Sequence, residues 1–117
     1  MNLSEYAEYD AVGLASAIKR KDISASEVTD VAIEAIKKLN PKLNAVVLTN
    51  FDNARNYSKD IKSNSALAGV PFLLKDVNQF SHDMPTTFSS KFFSDASAKL
   101  DSELVSRWRN GGLIILG

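Results

Sequence analysis

Cysteine is absent from the chain, which excludes disulfide frameworks, thiolate metal sites and cysteine nucleophiles. Histidine occurs once, at His82, so a histidine-rich metal site is excluded, and no HExxH-like spacing exists. Charge of either sign is not in excess: 14 basic side chains balance 14 acidic ones, leaving no general pull toward nucleic acid or anionic lipid. The longest purely apolar runs, Val70 to Leu74 and Leu113 to Leu116, are far too short to span a bilayer. The start, Met1-Asn2-Leu3-Ser4-Glu5, has neither the basic residues nor the apolar stretch of a secretory signal. Neither GxGxxG nor GxxxxGK is present, so Gly69 and Gly117 belong to no phosphate loop. A cytoplasmic protein is the expectation.

What remains is ordinary globular material, 44% apolar and 24% charged over 117 residues, enough for one domain with a modest core. Asp10 is placed to cap a first helix over Ala11 to Lys19, with Leu14 and Ile18 as its apolar stripe. Ser24 and Glu27 have capping-box spacing. Val28, Val31, Ala32, Ala35, Ile36 and Leu39 then repeat on one face, and Asn40-Pro41 is expected to end this second helix. Lys19-Arg20-Lys21 and Lys37-Lys38 are read as helix-end cations facing the negative end of the dipole.

Asn44 to Leu48 reads as a strand, Asp52 to Lys62 as a helix on a solvated surface, and Ser63-Asn64-Ser65 as a loop. Val70 to Leu74 reads as a strand covered on both faces. No period holds from Asn78 to Ala98, which is expected to be a long, partly structured loop. A last helix from about Asp101, with Leu100, Leu104 and Trp108 on one face, ends at Asn110-Gly111-Gly112 in a left-handed cap. Leu113 to Leu116 is a second buried strand. The alternation argues for an α/β fold whose N-terminal helices lead into a sheet that is parallel at least in part. An apolar strand running to Gly117 with nothing to pair its far edge suggests a truncated parent. The isolated fragment is accordingly expected to expose apolar faces and to behave poorly.

Lys75 is the residue with the most chemical promise. It ends the run Val70-Pro71-Phe72-Leu73-Leu74, where a strand gives way to a loop, the usual position of α/β active sites. Alternation puts it on the face of Leu73, which would draw its ammonium into an apolar layer and favour the neutral, basic form. On the residues alone, an ordinary solvated Lys-Asp pair with Asp76 is the preferred reading. Ser81-His82-Asp83 carries the letters of a hydrolase triad, but consecutive side chains point apart, and His82 is read as a loop histidine. Thr86, Thr87, Ser89 and Ser90 suit turn and cap duties as well as substrate contacts, and Phe88, Phe92 and Phe93 are expected to pack the loop onto the core.

The segment Leu67-Ala68-Gly69-Val70-Pro71-Phe72-Leu73-Leu74-Lys75-Asp76 resembles the strand that carries the catalytic lysine in the amidase-signature family. The resemblance extends to Asp10–Leu14, Ser26-Glu27, Asn40-Pro41-Lys42-Leu43-Asn44-Ala45, Pro85-Thr86-Thr87 with Ser89-Ser90, and Asp101–Val105 through Gly111–Gly117, in the family's order. It implies the N-terminal part of a single amidase-signature domain over residues 1–117, cut before the Gly/Ser-rich signature. The fold implied is an incomplete α/β one, with helices leading into the first strands of a mixed, largely parallel sheet. The chemistry implied is a Ser–cis-Ser–Lys amidohydrolase of small linear or cyclic carboxamides. In it the counterpart of Lys75 takes a proton through a bridging serine, and a serine acyl-enzyme forms. The resemblance implies no cofactor and no metal. The partner it implies is a small-molecule amide, with no nucleic acid and no membrane, and homo-oligomerisation is left open.

The chain departs from the family's pattern in three ways. Both serines and the oxyanion turn are missing, so the fragment alone is expected to be inactive. Asp83 and Ser89 stand where the family has glycine, which puts the backbone shape of the loop after Lys75 in question. Lys75-Asp76-Val77 lacks the Asn-Ile continuation common in the catalytic chains of glutamyl-tRNA amidotransferases, which leans toward a stand-alone amidase. The alternatives are a non-catalytic remnant or interaction module, and the amidase chain of a glutamyl-tRNA amidotransferase working with partners.

Overall fold

A computed structural model describes all 117 residues. Five α-helices and two short strands follow one another as α1 (Leu3–Ala7), α2 (Ala11–Lys19), α3 (Ala25–Leu43), α4 (Phe51–Ser58), β1 (Pro71–Phe72), α5 (Glu103–Asn110) and β2 (Ile114–Ile115). The strands pair in parallel, Pro71 against Ile114 and Phe72 against Ile115. None of the helices is long and apolar enough to cross a membrane.

Helix starts follow their caps. Asp10 accepts the Gly13 amide at 2.7 Å and opens α2. Ser24 and Glu27 form a complete capping box at the head of α3. The same box, Asn2 with Glu5, opens α1, a helix the sequence reading passes over. Each box satisfies amides that the first helical turn leaves without partners.

Helix ends depart further from expectation. α3 does not stop at Asn40 but runs through Pro41 to Leu43. A proline in the last turn removes only one hydrogen bond, and Asn44 closes the helix in a left-handed conformation with its amide on the Asn40 carbonyl at 2.7 Å. Lys37 and Lys38 therefore lie inside the helix, not at its end, and Lys37 pairs with Glu34 at 3.0 Å. Its buried stripe is Ala25, Val28, Thr29, Ala32 and Ile33, whereas Leu39 is exposed.

Asn44 to Leu48 is not a strand. The Asn40 carboxamide takes both backbone groups of Val46, each at 2.8 Å, and so occupies the edge that a neighbouring strand would need. α4 is also shorter than the reading of Asp52 to Lys62, and it buries Ala54 and Ser58.

β2 carries the core. Ile114 and Leu116 pack with Ala25, Ala32, Ile33 and Ala54 of α3 and α4. Ile115, on the opposite face, packs with Met84 and Val105. Leu113 joins Leu14, Ala15, Ala17, Ile23, Val28 and Val70. Both faces of the strand are thus covered, as a continuous apolar run requires, and each aliphatic side chain buried this way contributes about 1.5–3 kcal/mol. β1 is much shorter than the run Val70 to Leu74, and Leu73 beyond it is 44% exposed.

The last helix begins at Glu103 and turns Val105 fully inward, with Trp108 against Phe72 at a ring separation of 4.9 Å. Leu100 and Leu104, expected on the inner face, are exposed, because the stripe that faces β2 is Val105 with Trp108. Gly112 beyond the helix has φ +82°, the left-handed cap expected there.

Candidate active site

Lys75 stands three residues past β1, and its backbone is tied on both sides. The Leu74 amide donates to the Gly117 carbonyl at 3.0 Å, and the Lys75 amide donates to Gln79 Oε1 at 2.7 Å. The side chain is exposed. The apolar layer expected around it is absent from these residues, since the strand ends at Phe72 and its alternation does not carry Leu73 or Lys75 inward. A cavity of about 30 Å³ lies among Lys75, Gln79, Ser81, Met84 and Gly117, room for a water molecule and not for a substrate.

Asp76 faces the other way. Its Oδ1 accepts the Thr87 amide at 2.5 Å, its Oδ2 accepts the Thr87 hydroxyl, and its carbonyl accepts the Phe88 amide at 3.1 Å. Burial raises the carboxyl pKa, but the hydrogen bonds from Thr87 and from the Ser89 and Phe88 amides outweigh it and hold the group below its ordinary value. Phe88 and Ser89 both sit at positive φ, 53° and 56°, a conformation that costs non-glycine residues. Ser89 thus keeps the backbone shape of the glycine it replaces. Asp83 does not share this geometry.

The segment from Asn78 to Ala98 is the long, partly structured loop expected, with one 3₁₀ turn at Lys91–Phe93 and single bridges Ser81–Met84 and Pro85–Ser97. Thr86 is buried and Ser90 caps the 3₁₀ turn, so this hydroxyl cluster does structural work. Phe88, Phe92 and Phe93 do not pack onto the core. They stack on one another, with Phe80 against Phe88, and Phe92 is 87% exposed.

The Ser81-His82-Asp83 letters do not form a triad. Ser81 donates to Asp83 at 2.5 Å, while His82 turns its Nδ1 and its amide to Asp101 at 2.7 and 2.8 Å. Arg109 of α5 joins the two carboxylates: its Nη2 reaches Asp83 at 2.6 Å and Ser81 at 2.7 Å, and its Nε reaches Asp101 at 2.9 Å. Asn50, at the head of α4, donates to Asp83 at 2.9 Å. For Asp83, burial raises the pKa, but the Ser81 and Asn50 hydrogen bonds and the Arg109 charge bring it below the usual range. For Asp101, burial is likewise overcome by the His82 hydrogen bonds and Arg109. This network fastens the loop after Lys75 to α4 and α5. Sequence reading misses it, because Asp83 and Arg109 lie 26 residues apart with no local signal. No group of three His, Cys, Asp or Glu side chains is placed to hold a metal ion.

Comparison with known proteins gives this arrangement a family. A model of the family described as Amidase matches residues 27–117. The 6-aminohexanoate-cyclic-dimer hydrolase of Paenarthrobacter ureafaciens is 32% identical over 110 residues, covering 92% of this chain and 22% of that protein. The amidase-family chain of the glutamyl-tRNA(Gln) amidotransferase of Acidothermus cellulolyticus is 32% identical over 122 residues, covering 98% of this chain and 24% of that protein. Among solved structures, the native peptide amidase of Stenotrophomonas maltophilia superposes with a TM-score of 0.86 at 28% identity, over 96% of this chain and 24% of that one. A 6-aminohexanoate cyclic dimer hydrolase complexed with substrate superposes at 0.85 and 32% identity, over 93% of this chain and 23% of that one. The chain spans less than a quarter of the length of these relatives. With the family match covering most of its residues and the fold superposing nearly end to end, the chain belongs to the amidase-signature family.

Proposed function

We propose that these residues form the N-terminal part of one amidase-signature domain, and that Lys75 is the proton acceptor of a Ser–cis-Ser–Lys amidohydrolase cleaving a small linear or cyclic carboxamide. The observation that carries this reading is the position of Lys75 just beyond a parallel strand, with its backbone held and its side chain free. In the full-length parent, Lys75 Nζ takes a proton through a bridging serine from the nucleophilic serine. The serine oxygen attacks the carbonyl, the C–N bond breaks as the amine leaves with a proton, and water releases the acid from the acyl-enzyme. Both serines belong to the part of the parent outside these residues, so the 117-residue chain by itself is inactive.

The test is amide hydrolysis by the full-length protein carrying Lys75→Met, a replacement that keeps the stem and removes the base. Loss of turnover in a folded variant is expected, and unimpaired hydrolysis would end the reading. A second reading, the amidase chain of a glutamyl-tRNA amidotransferase, is supported by the 32% identity to the Acidothermus cellulolyticus protein. Hydrolysis of simple carboxamides without partner chains counts against it.

A further inference from the structure

We infer that Asp76 is a positioning residue, whose carboxylate gathers the Thr87–Ser89 turn and thereby fixes the backbone on which Lys75 stands. The inference rests on the reading of Lys75 as the base. Asp76 is the next residue in the chain, yet both its carboxylate oxygens are turned onto Thr87 and not onto the neighbouring ammonium. Its carbonyl is engaged as well, by the Phe88 amide at 3.1 Å. One residue thus holds the turn through main chain and side chain together.

The turn needs holding. Phe88 and Ser89 are consecutive residues at positive φ, and such conformations persist only where their surroundings over-determine them. Successive amides in a left-handed turn make a concave, positively polarised surface that suits an anion, and the Asp76 carboxylate fills that role. On the other side of Lys75, Gln79 Oε1 holds its amide at 2.7 Å, and Gly117 holds the Leu74 amide at 3.0 Å. With both flanks tied, the lysine stem alone is free to move. A proton acceptor has to be placed to within about 0.5 Å of its working position. Loosening one flank is therefore expected to slow the chemical step without changing how substrate binds.

The experiment uses the full-length parent and a panel of linear and cyclic carboxamides, with ammonia or amine release as the signal. Asp76→Ala removes the anion, Thr87→Val removes the hydroxyl and leaves the amide, and Thr87→Ser keeps both. Asp76→Ala and Thr87→Val are each expected to lower kcat by about 10- to 100-fold, the scale of a small misplacement of a reacting group. KM should stay within about twofold of the parent value, as expected when binding of ground and transition states is not uniformly lost. Thr87→Ser should restore turnover, and the Asp76→Ala/Thr87→Val double variant should be no slower than Asp76→Ala, because both changes break one unit. Wild-type kcat in both single variants overturns the inference, as does a loss confined to KM. If Asp76→Ala does not fold, Thr87→Val decides alone. Failure of both to fold makes the pair purely structural, and that also overturns it. Lys75→Met separates the two levels of the argument. If it stays active, the functional reading falls. If it is inactive while Asp76→Ala and Thr87→Val turn over normally, only the role given to Asp76 falls.

Discussion

Arg109→Met should destabilise the chain by about 3 kcal/mol at pH 7 and by much less in acid. Arg109 makes bonds of 2.6 Å to Asp83, 2.7 Å to Ser81 and 2.9 Å to Asp101. The side chains concerned are largely covered, with 24% of Arg109, 14% of Asp83 and 12% of Asp101 accessible. Removing one partner of a fully buried pair costs about 3–5 kcal/mol, because a charge is left without compensation. Residual water contact lowers that figure, while the mutual repulsion of two stranded carboxylates raises it, and about 3 kcal/mol is the balance. Methionine keeps an apolar stem against α5's neighbours, so the loss reports the guanidinium.

The pH dependence follows from the carboxyl groups. Asp83 and Asp101 have folded-state pKa values below the ordinary one, so the unfolded chain binds protons more readily. Their contribution is complete above the unfolded value of about 3.9 and is lost as pH falls through the lower folded values. In the variant the guanidinium no longer depresses them, and protonation relieves the stranded charges. The cost of Arg109→Met should therefore shrink to under about 1 kcal/mol near pH 3. Urea unfolding at both pH values, followed through Trp108, which lies 4.9 Å from Phe72, measures it directly. A cost under about 1 kcal/mol at pH 7, or the same cost at both pH values, would refute the reasoning.

Three further substitutions test the packing and the backbone. Thr29 is fully buried with its hydroxyl unpartnered, so Thr29→Val should raise stability by about 1 kcal/mol, seen as a higher urea midpoint. Gly112 has φ +82°, and a Cβ there would lie 2.9 Å from Ser63 Cβ and 3.0 Å from Ala68 Cβ. Gly112→Ala should cost about 2–3 kcal/mol from conformation and crowding together, read as a lower thermal midpoint. Ser89 sits at φ 56°, and Ser89→Gly should stabilise by about 0.5–1 kcal/mol, the left-handed penalty less the entropy glycine brings to the unfolded chain. A fall in the midpoint of that variant would show that the Ser89 side chain holds the turn in some other way.

These substitutions also mark where sequence reading succeeds. Helix starts are legible because a cap is local: Asp10, and Ser24 with Glu27, act on amides within three residues. Helix ends are less so. Pro41 has the signature of a helix stop, but the bond it removes is minor in a last turn that Asn44 closes. Asn44 to Leu48 has the composition of a strand, and its pairing is decided instead by a carboxamide on the preceding helix. The inward face of α5 depends on where β2 lies, which periodicity along eight residues does not specify.

The two positions where the family has glycine show the same boundary within the site. At both, the residue present departs from the pattern, and sequence alone flags both equally. At Ser89 the backbone remains left-handed, and Asp76, whose carboxylate and carbonyl hold the adjacent Thr87 and Phe88, stabilises the turn in which the non-glycine residue sits. At Asp83 the glycine-like conformation is gone, and the side chain has been drawn into a charged network with Arg109, Asn50 and Ser81. One substitution is tolerated by a neighbour adjacent in the loop, the other by partners on two distant helices. The first compensation lies within reach of a local reading of Asp76 and Thr87. The second requires α4 and α5 already in place, and so becomes visible only once the sheet has brought them together.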